Sequence, residues 1–262
     1  MTTASFACFV AGTDTGVGKT HVSTALLHAL RATGLAAVGM KPVASGCEWR
    51  DGAWHNDDVA QLRAASSVPV PPALTCPYLL RTPCSPHLAA EADGVRIARE
   101  PIVAAFDTLR ARADAVVVEG VGGFRVPLDT GEHGWDTADL AAMLALPVVL
   151  VVGLRLGCLN HAMLSAEAIR ARGLRLAGWV ANRIDPAMPL ADDNIATLRD
   201  ALGAFDAPHL GTLPWQDGPD PRHAAGLLDL SALLATSAPA NPEHRHDEAA
   251  TPAHSLAATT PN

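Results

Sequence analysis

Positive charge is scarce in this chain: 19 lysines and arginines stand against 27 aspartates and glutamates, a formal charge of -8. Such a balance lacks the electrostatic footprint of a nucleic-acid binder. Any anion the protein holds must therefore be gripped by a local site. Paired cysteines are missing too. Cys8, Cys47, Cys76, Cys84 and Cys158 show no Cys-x-x-Cys spacing and are odd in number, which argues against a zinc site or a disulfide framework and fits free thiols in a reducing compartment. No basic segment leads into an apolar stretch at the N-terminus. The apolar stretch Leu140–Leu154 is broken by Pro147 and falls short of the roughly 20 residues of a membrane span. These absences predict a soluble cytoplasmic protein that binds neither nucleic acid nor membrane.

What is present is a repeated alternation. Short apolar runs end in glycine, proline or a polar residue, and helical patterns follow them. Ser5–Ala11 runs into a glycine-rich loop, and Lys19–Thr33 then reads as a helix with apolar Val22, Leu26, Leu27 and Leu30. Ala36–Met40 stops at Lys41-Pro42, Ala115–Val118 at Glu119-Gly120, and Val148–Val152 at Gly153. Leu176–Ala181 stops at Asn182 and His209–Leu213 at Pro214, with helices expected over Asn160–Arg172 and from about Leu190 to Leu202. Val/Ile/Leu runs without polar alternation indicate strands buried on both faces, hence a parallel sheet covered by helices and the α/β class. Ligands of such sheets bind outside the carboxyl ends of the strands. The six run ends, from Gly12 to Pro214, should therefore gather along one edge. Glu48–Val95 is proline-rich and predicts a helix near Asp57–Ala65 followed by an extended excursion. Residues 237–262 hold one large apolar residue, Leu256, and predict a disordered tail after a single domain over 1–236.

The loop Gly12-Thr-Asp-Thr-Gly-Val-Gly-Lys-Thr20 carries the first chemistry. Gly16 and Gly18 let backbone N–H groups turn inward around phosphate oxygens. Lys19 reaches the β- and γ-phosphates, and Thr20 offers a hydroxyl to magnesium at a helix N-terminus. The strict pattern asks for glycine at position 13, which is Thr13; the glycine sits one place earlier. Magnesium takes an octahedron of oxygens, normally with one or two carboxylates. Glu119, ending Ala-Val-Val-Val-Glu, stands where such a ligand belongs. Asp57 and Asp58 suit either a ligand or a helix cap. Lys41 suits either an ordinary surface lysine or a cation that neutralises charge on a transferring phosphoryl group.

Eight motifs in register go further. Gly12–Thr20, Lys41-Pro42-Val43-Ala44-Ser45-Gly46, Asn56-Asp57-Asp58, Ser85-Pro86-His87 and Val118-Glu119-Gly120-Val121-Gly122-Gly123 are followed by Gly157-Cys158-Leu159-Asn160-His161-Ala162, Gly178-Trp179-Val180-Ala181-Asn182 and Leu213-Pro214-Trp215. Together, over about residues 5–235, they resemble the dethiobiotin synthetase family. The resemblance implies a homodimer with a three-layer, phosphate-loop NTPase-like fold around a mostly parallel sheet of about seven strands. It implies closure of a ureido ring on 7,8-diaminononanoate with CO2, using ATP and Mg2+, through a carbamate and a carbamic–phosphoric anhydride. Position by position, it assigns phosphate binding to Lys19 and the amides of Gly16, Val17, Gly18, Thr20 and His21. Thr20, Asp58 and Glu119 become magnesium ligands, with Asp58 and Glu119 also at the ATP, and Lys41 becomes the catalytic cation at the substrate. Thr15, Ser45 and the segment Gly120, Val121 and Gly122, which also borders ATP, line the diamine site. Asn160 binds the substrate carboxylate across the dimer interface. Asn182 and Arg183 with Pro214, Trp215 and Gln216 form the base pocket.

Two departures stand out. Gly16 occupies a loop position where family members often carry glutamate. Asn182-Arg183-Ile184-Asp185 is one substitution from the Asn-Lys-x-Asp signature that selects guanine in GTPases. The rival readings are the ATPase half of a cobyrinic acid amide synthetase and a partitioning ATPase. The first lacks room after Ala235 for a glutaminase domain. The second uses an additional lysine early in the loop, where Thr13, Asp14 and Thr15 stand here.

Overall fold

The computed structural model describes residues 6–235, so the predicted tail lies outside the described residues. The chain begins with β1 (Phe6–Gly12), α1 (Lys19–Ala32) and β2 (Ala37–Met40). An irregular stretch follows: β3 (Val43–Ala44), the hairpin β4 (Glu48–Arg50) and β5 (Ala53–His55), α2 (Asp57–Ala65), α3 (Pro72–Thr75), β6 (Tyr78–Leu79) and α4 (Pro86–Ala92). Next come α5 (Arg99–Arg110), β7 (Ala115–Glu119), the ladder β8 (Pro127–Asp129) and β9 (Trp135–Asp136), and α6 (Thr137–Met143). The last described elements are β10 (Val148–Leu154), α7 (Cys158–Ala171), β11 (Leu176–Arg183), α8 (Ala191–Gly203), β12 (His209–Leu213), α9 (Pro221–Ala225) and α10 (Ser231–Ala235).

Six strands form one sheet in the order β12-β11-β10-β1-β7-β2, and every pairing in it is parallel. They correspond one to one with the six apolar runs of the sequence. The seventh strand implied by the resemblance is absent among the described residues. Val43–Ala44 and Tyr78–Leu79, the nearby short strands, pair with each other instead of extending the sheet edge.

Both faces of the sheet are covered, which is why its strands lack polar alternation. Phe9, Ala11, Val116, Val118, Leu150, Val152 and Trp179 point to one core, packed by Ile102 and Phe106 of α5, Ala162 and Ile169 of α7, and Leu198 of α8. Their neighbours Cys8, Val10, Val117, Val149, Val151 and Val180 point to the other, packed by Val22, Leu26 and Leu30 of α1, Leu62 of α2 and Leu233 of α10. Adjacent residues of one strand thus serve opposite cores, as the period of two requires.

The stretch expected to be an extended excursion is more ordered than its prolines suggest. Its helix at Asp57–Ala65 forms as expected, but two further short helices begin at Pro72 and Pro86. Proline at a first helical position removes a donor that would be unpaired there anyway, so proline starts these helices and does not prevent them. Strands β10 and β11 also run on past Val152 and Ala181. The ladder continues through Gly153↔Asn182 and Leu154↔Arg183.

Candidate active site

Strand register builds the centre of the site. Met40 and Val118 are partners across β2 and β7, so the next residues, Lys41 and Glu119, emerge side by side at the carboxyl edge of the sheet. Val10 of β1 is the partner of Glu119, which brings the loop after β1 to the same place. Lys41 Nζ lies 2.5 Å from Glu119 Oε1 and 2.7 Å from Asp58 Oδ2. Thr20 Oγ1 donates to the same Glu119 oxygen at 2.9 Å. Lys41 and Glu119 are both buried. Burial pulls the Lys41 ammonium down, but Glu119 and Asp58 outweigh it and hold it above the usual lysine range. For Asp58, burial pushes upward, yet Lys41, helped by Thr20 and Lys19, leaves the carboxyl below its ordinary value.

The two adjacent acids of α2 separate cleanly. Asp58 faces Lys41, whereas Asp57 is exposed and lies 3.4 Å from Arg50 of the hairpin. The capping role belongs to neither: the Asn56 side chain accepts from Val59 N at 3.3 Å.

The loop Gly12–Thr20 wraps beside this cluster. Gly16 and Gly18 have φ of 74° and 86°, the left-handed region that favours glycine. Gly12 is required for a different reason: a Cβ there would meet Val17 Cγ2 at 2.8 Å and Asp14 O at 3.0 Å. The displaced glycine is therefore a packing requirement of this loop. Lys19 is buried, and its Nζ donates to Asp14 O at 3.0 Å. Burial, then repulsion from Lys41, lowers its pKa to about 8 against the pull of Glu119, Asp58 and Asp14.

Beside the loop, the structure places Thr15, the Gly120–Gly122 segment and Asn182, while Ser45, Arg183 and Gln216 make contacts elsewhere. A Cβ on Gly122, whose φ is 65°, would lie 3.6 Å from Thr15 Oγ1, so Thr15 borders the Gly120–Gly122 segment. Ser45 turns its hydroxyl to Cys84 O at 2.9 Å. Asn182 is buried and donates from Nδ2 to Val17 O at 2.9 Å. Gly18 makes room for that bond, since a Cβ there would sit 2.1 Å from Asn182 Nδ2. Arg183 instead turns to Asp192 on α8, and Asp185 caps its own turn by accepting from Ala187 N at 2.9 Å. Pro214 and Trp215 are exposed beyond β12, and Gln216 Oε1 accepts from Asp220 N at 3.4 Å. His21 has a buried Nδ1 without a hydrogen bond; burial lowers its pKa while Asp220 opposes. Asn160 stands apart, exposed on the first turn of α7.

Two contributors are given no role by the sequence motifs, Arg155 and Asp14, and the run end Gly153 joins them. Arg155, just past β10, pairs with the Asp14 carboxylate, whose other oxygen accepts from Thr15 N at 2.7 Å. Gly153 lies under the loop: a Cβ there would meet Val17 Cγ1 at 2.8 Å. Loop residue Asp14 itself, an acid among phosphate-binding amides, was the available signal for a basic partner.

The cluster fits a hard divalent cation. Glu119 Oε2 is buried without any hydrogen-bond partner, although the other oxygen of the same carboxylate has two. With Asp58 and the Thr20 hydroxyl it offers oxygen ligands, but no group of three His, Cys, Asp or Glu suited to a metal occurs among the described residues. An ion there would complete its shell with phosphate oxygens and water, as magnesium does.

Comparison with known proteins adds three findings. Residues 7–222 match the AAA domain family. Two proteins named ATP-dependent dethiobiotin synthetase BioD are similar over most of their length. The one from Aromatoleum aromaticum is 58% identical over 86% of this chain and 97% of its own. Its counterpart from Ralstonia nicotianae is 58% identical over 88% of this chain and 98% of its own. Among solved structures, the MinC:MinD cell division protein complex of Aquifex aeolicus aligns with a TM-score of 0.51 at 14% identity, covering 92% of this chain and 99% of that one. That likeness concerns the fold alone.

Proposed function

This chain belongs to the dethiobiotin synthetase family, and from that premise we propose how its site performs the reaction. The activity is ATP-dependent synthesis of dethiobiotin, a ligase reaction of biotin biosynthesis. The observation that carries the mechanism is the convergence of Lys41, Glu119, Asp58 and Thr20 at the mouth of the phosphate loop.

One amine of 7,8-diaminononanoate adds to CO2 and loses a proton, giving a carbamate. A carbamate oxygen attacks the γ-phosphorus and ADP leaves, forming the carbamic–phosphoric anhydride. The second amine attacks the carbonyl carbon and loses a proton, inorganic phosphate departs, and the ureido ring closes. Carbamate and γ-phosphate are both anions, so their approach requires fixed positive charge in a water-poor site. Lys19 and the amides of Gly16, Val17, Gly18, Thr20 and His21 hold the phosphates. Lys41 faces the carbamate and the transferring phosphoryl group. Thr15, Ser45 and Gly120–Gly122 border the diamine. Thr20, Asp58 and Glu119 would hold Mg2+, which when bound polarises phosphoryl oxygens and offsets their charge.

The base of ATP is assigned to Asn182, Arg183 and the Pro214–Gln216 segment. We further propose a homodimer. Leu156, in the turn before α7, and Leu164, on α7 one turn after Asn160, are 96% and 57% exposed. A cavity of about 260 Å³ lined by Thr13, Arg125, His161 and Leu164 separates that face from the loop. A second copy seated there brings its Asn160 toward the carboxylate end of the diamine. No helix among the described residues is long and apolar enough to cross a membrane, and four of the five free thiols are buried. We place the reaction in the cytoplasm.

One assay tests the reading. Labelled bicarbonate, diaminononanoate and Mg-ATP incubated with the protein should yield acid-stable label in a cyclic urea. ATP hydrolysis without that product would overturn the mechanism.

A further inference from the structure

The Lys41 ammonium sits where the two carboxylates of the cation site converge. It holds one oxygen of Glu119 and one of Asp58 at 2.5 and 2.7 Å, and Thr20 shares the Glu119 oxygen. The same burial and register that fix Glu119 fix Lys41, since the paired residues Met40 and Val118 directly precede them. Lys19 is also close enough for its charge to be felt by Lys41, Glu119 and Asp58. Formally, two lysines face two carboxylates, and the nearby Asp14 is matched by Arg155, so the charges cancel. A divalent ion approaching this cluster meets no net negative charge, and it meets an ammonium already bonded to its two anionic ligands. A triphosphate changes the balance, since its oxygens ligate the ion and give both lysines a new partner.

We propose that Lys41 is the built-in counter-ion of the Asp58–Glu119 pair and makes divalent-cation binding conditional on the triphosphate. This rests on the reading of Thr20, Asp58 and Glu119 as the cation's ligands. The ion therefore arrives with the nucleotide, and its arrival redirects the Lys41 charge from the carboxylates to the reacting anions. Lys41 then has two consecutive tasks, guarding the ligands and neutralising the carbamate and phosphoryl group.

The test uses Mn2+ alone, with free ion counted by its electron paramagnetic resonance signal. The unchanged full-length protein should bind Mn2+ only weakly in the absence of nucleotide. Lys41→Gln keeps a hydrogen-bonding amide but removes the charge, and should tighten Mn2+ binding at least about tenfold. Lys41→Arg keeps the charge and should stay weak. Adding Glu119→Gln or Asp58→Asn to Lys41→Gln should abolish the gain. If Lys41→Gln binds Mn2+ no more tightly than the unchanged protein, the counter-ion role fails and the ligand reading stands. If the gain survives both carboxylate changes, the ion sits elsewhere and the ligand reading fails with it. Should Lys41→Gln not fold, Lys41→Met takes its place in the same nucleotide-free titration, and micromolar Mn2+ binding by the unchanged protein without nucleotide overturns the proposal.

Discussion

The carboxyl edge of the sheet has two unlike halves. Over β1, β7 and β2 the site is buried and charged, with Lys41, Glu119 and Thr20 held by parallel register and joined by short hydrogen bonds. Over β11 and β12 it is open and mostly neutral, with Trp215 49% exposed and one amide, Asn182, tying it to the phosphate loop. Charge buried in low dielectric is costly unless fully paired, so the first half leaves little room for a change of geometry. Exposed groups on the second half make fewer obligatory contacts. The chemistry should be sensitive to the first half, whereas nucleotide choice should be tunable in the second.

The largest effect tests the charged half. Lys41→Ala should lower kcat by about a hundred- to a thousandfold, the scale of removing one transition-state donor, while ATP affinity stays nearly intact. Steady-state kinetics with ATP titration will separate the two; a large loss of ATP binding would mean that Lys41 serves the nucleotide. Next comes the bond that joins the halves. Gly18→Ala places a Cβ 2.1 Å from Asn182 Nδ2 at a φ of 86°. Strain of about 1–3 kcal/mol should lower thermal stability and weaken ATP binding together. If stability falls but ATP binding holds, the Asn182 link is structural only.

The open half predicts a smaller discrimination. On the proposed placement of Asn182 and Arg183 at the base, the likeness of Asn182-Arg183-Ile184-Asp185 to the guanine signature predicts GTP turnover with kcat/KM comparable to ATP. A hundredfold preference for ATP ends that idea, and the turn-capping bond of Asp185 is the first place to look for the reason. The smallest effect concerns stability. His209 on β12 packs against Trp179 with ring centroids 4.4 Å apart, beside Arg199 and Thr212. Burial, then Arg199, holds its pKa below the usual 6.5, with the Gly211 backbone opposing. The folded state therefore takes up its proton at lower pH than the unfolded chain. Its contribution to stability is complete above about pH 6.5 and declines as pH falls through the folded pKa. His209→Gln should flatten this decline in chemical denaturation between pH 7 and 5; an unchanged slope would show that His209 does not cause it.

Several features were legible before any coordinates. The six strands follow from six apolar runs because a strand buried on both faces must be apolar throughout. The helix expected near Asp57–Ala65 forms there, though its cap is Asn56 and not the acids that follow. The phosphate loop follows from local glycine geometry. Other features were not. Nothing local distinguishes Asp58 from Asp57, or an exposed Lys41 from a buried one, because both questions depend on which strands are neighbours. The composition of the proline-rich stretch suggests extended chain, whereas proline's place at a helix start is a matter of position. Arg155 and Asp14 lie 141 residues apart, and only the sheet brings them together.

By itself, then, the sequence determined which segments could be strands, which glycine-rich loop joins β1 to α1, and, through eight motifs in order, the family to which the chain belongs. The tertiary structure decided which charges meet. It set Lys41 beside Glu119 through the Met40–Val118 register, chose Asp58 over Asp57, and left one oxygen of Glu119 without a partner. The physical reason is range. Apolar periodicity and glycine backbone freedom act within a few residues, whereas a buried ion pair between positions 78 apart exists only once the sheet has ordered its strands.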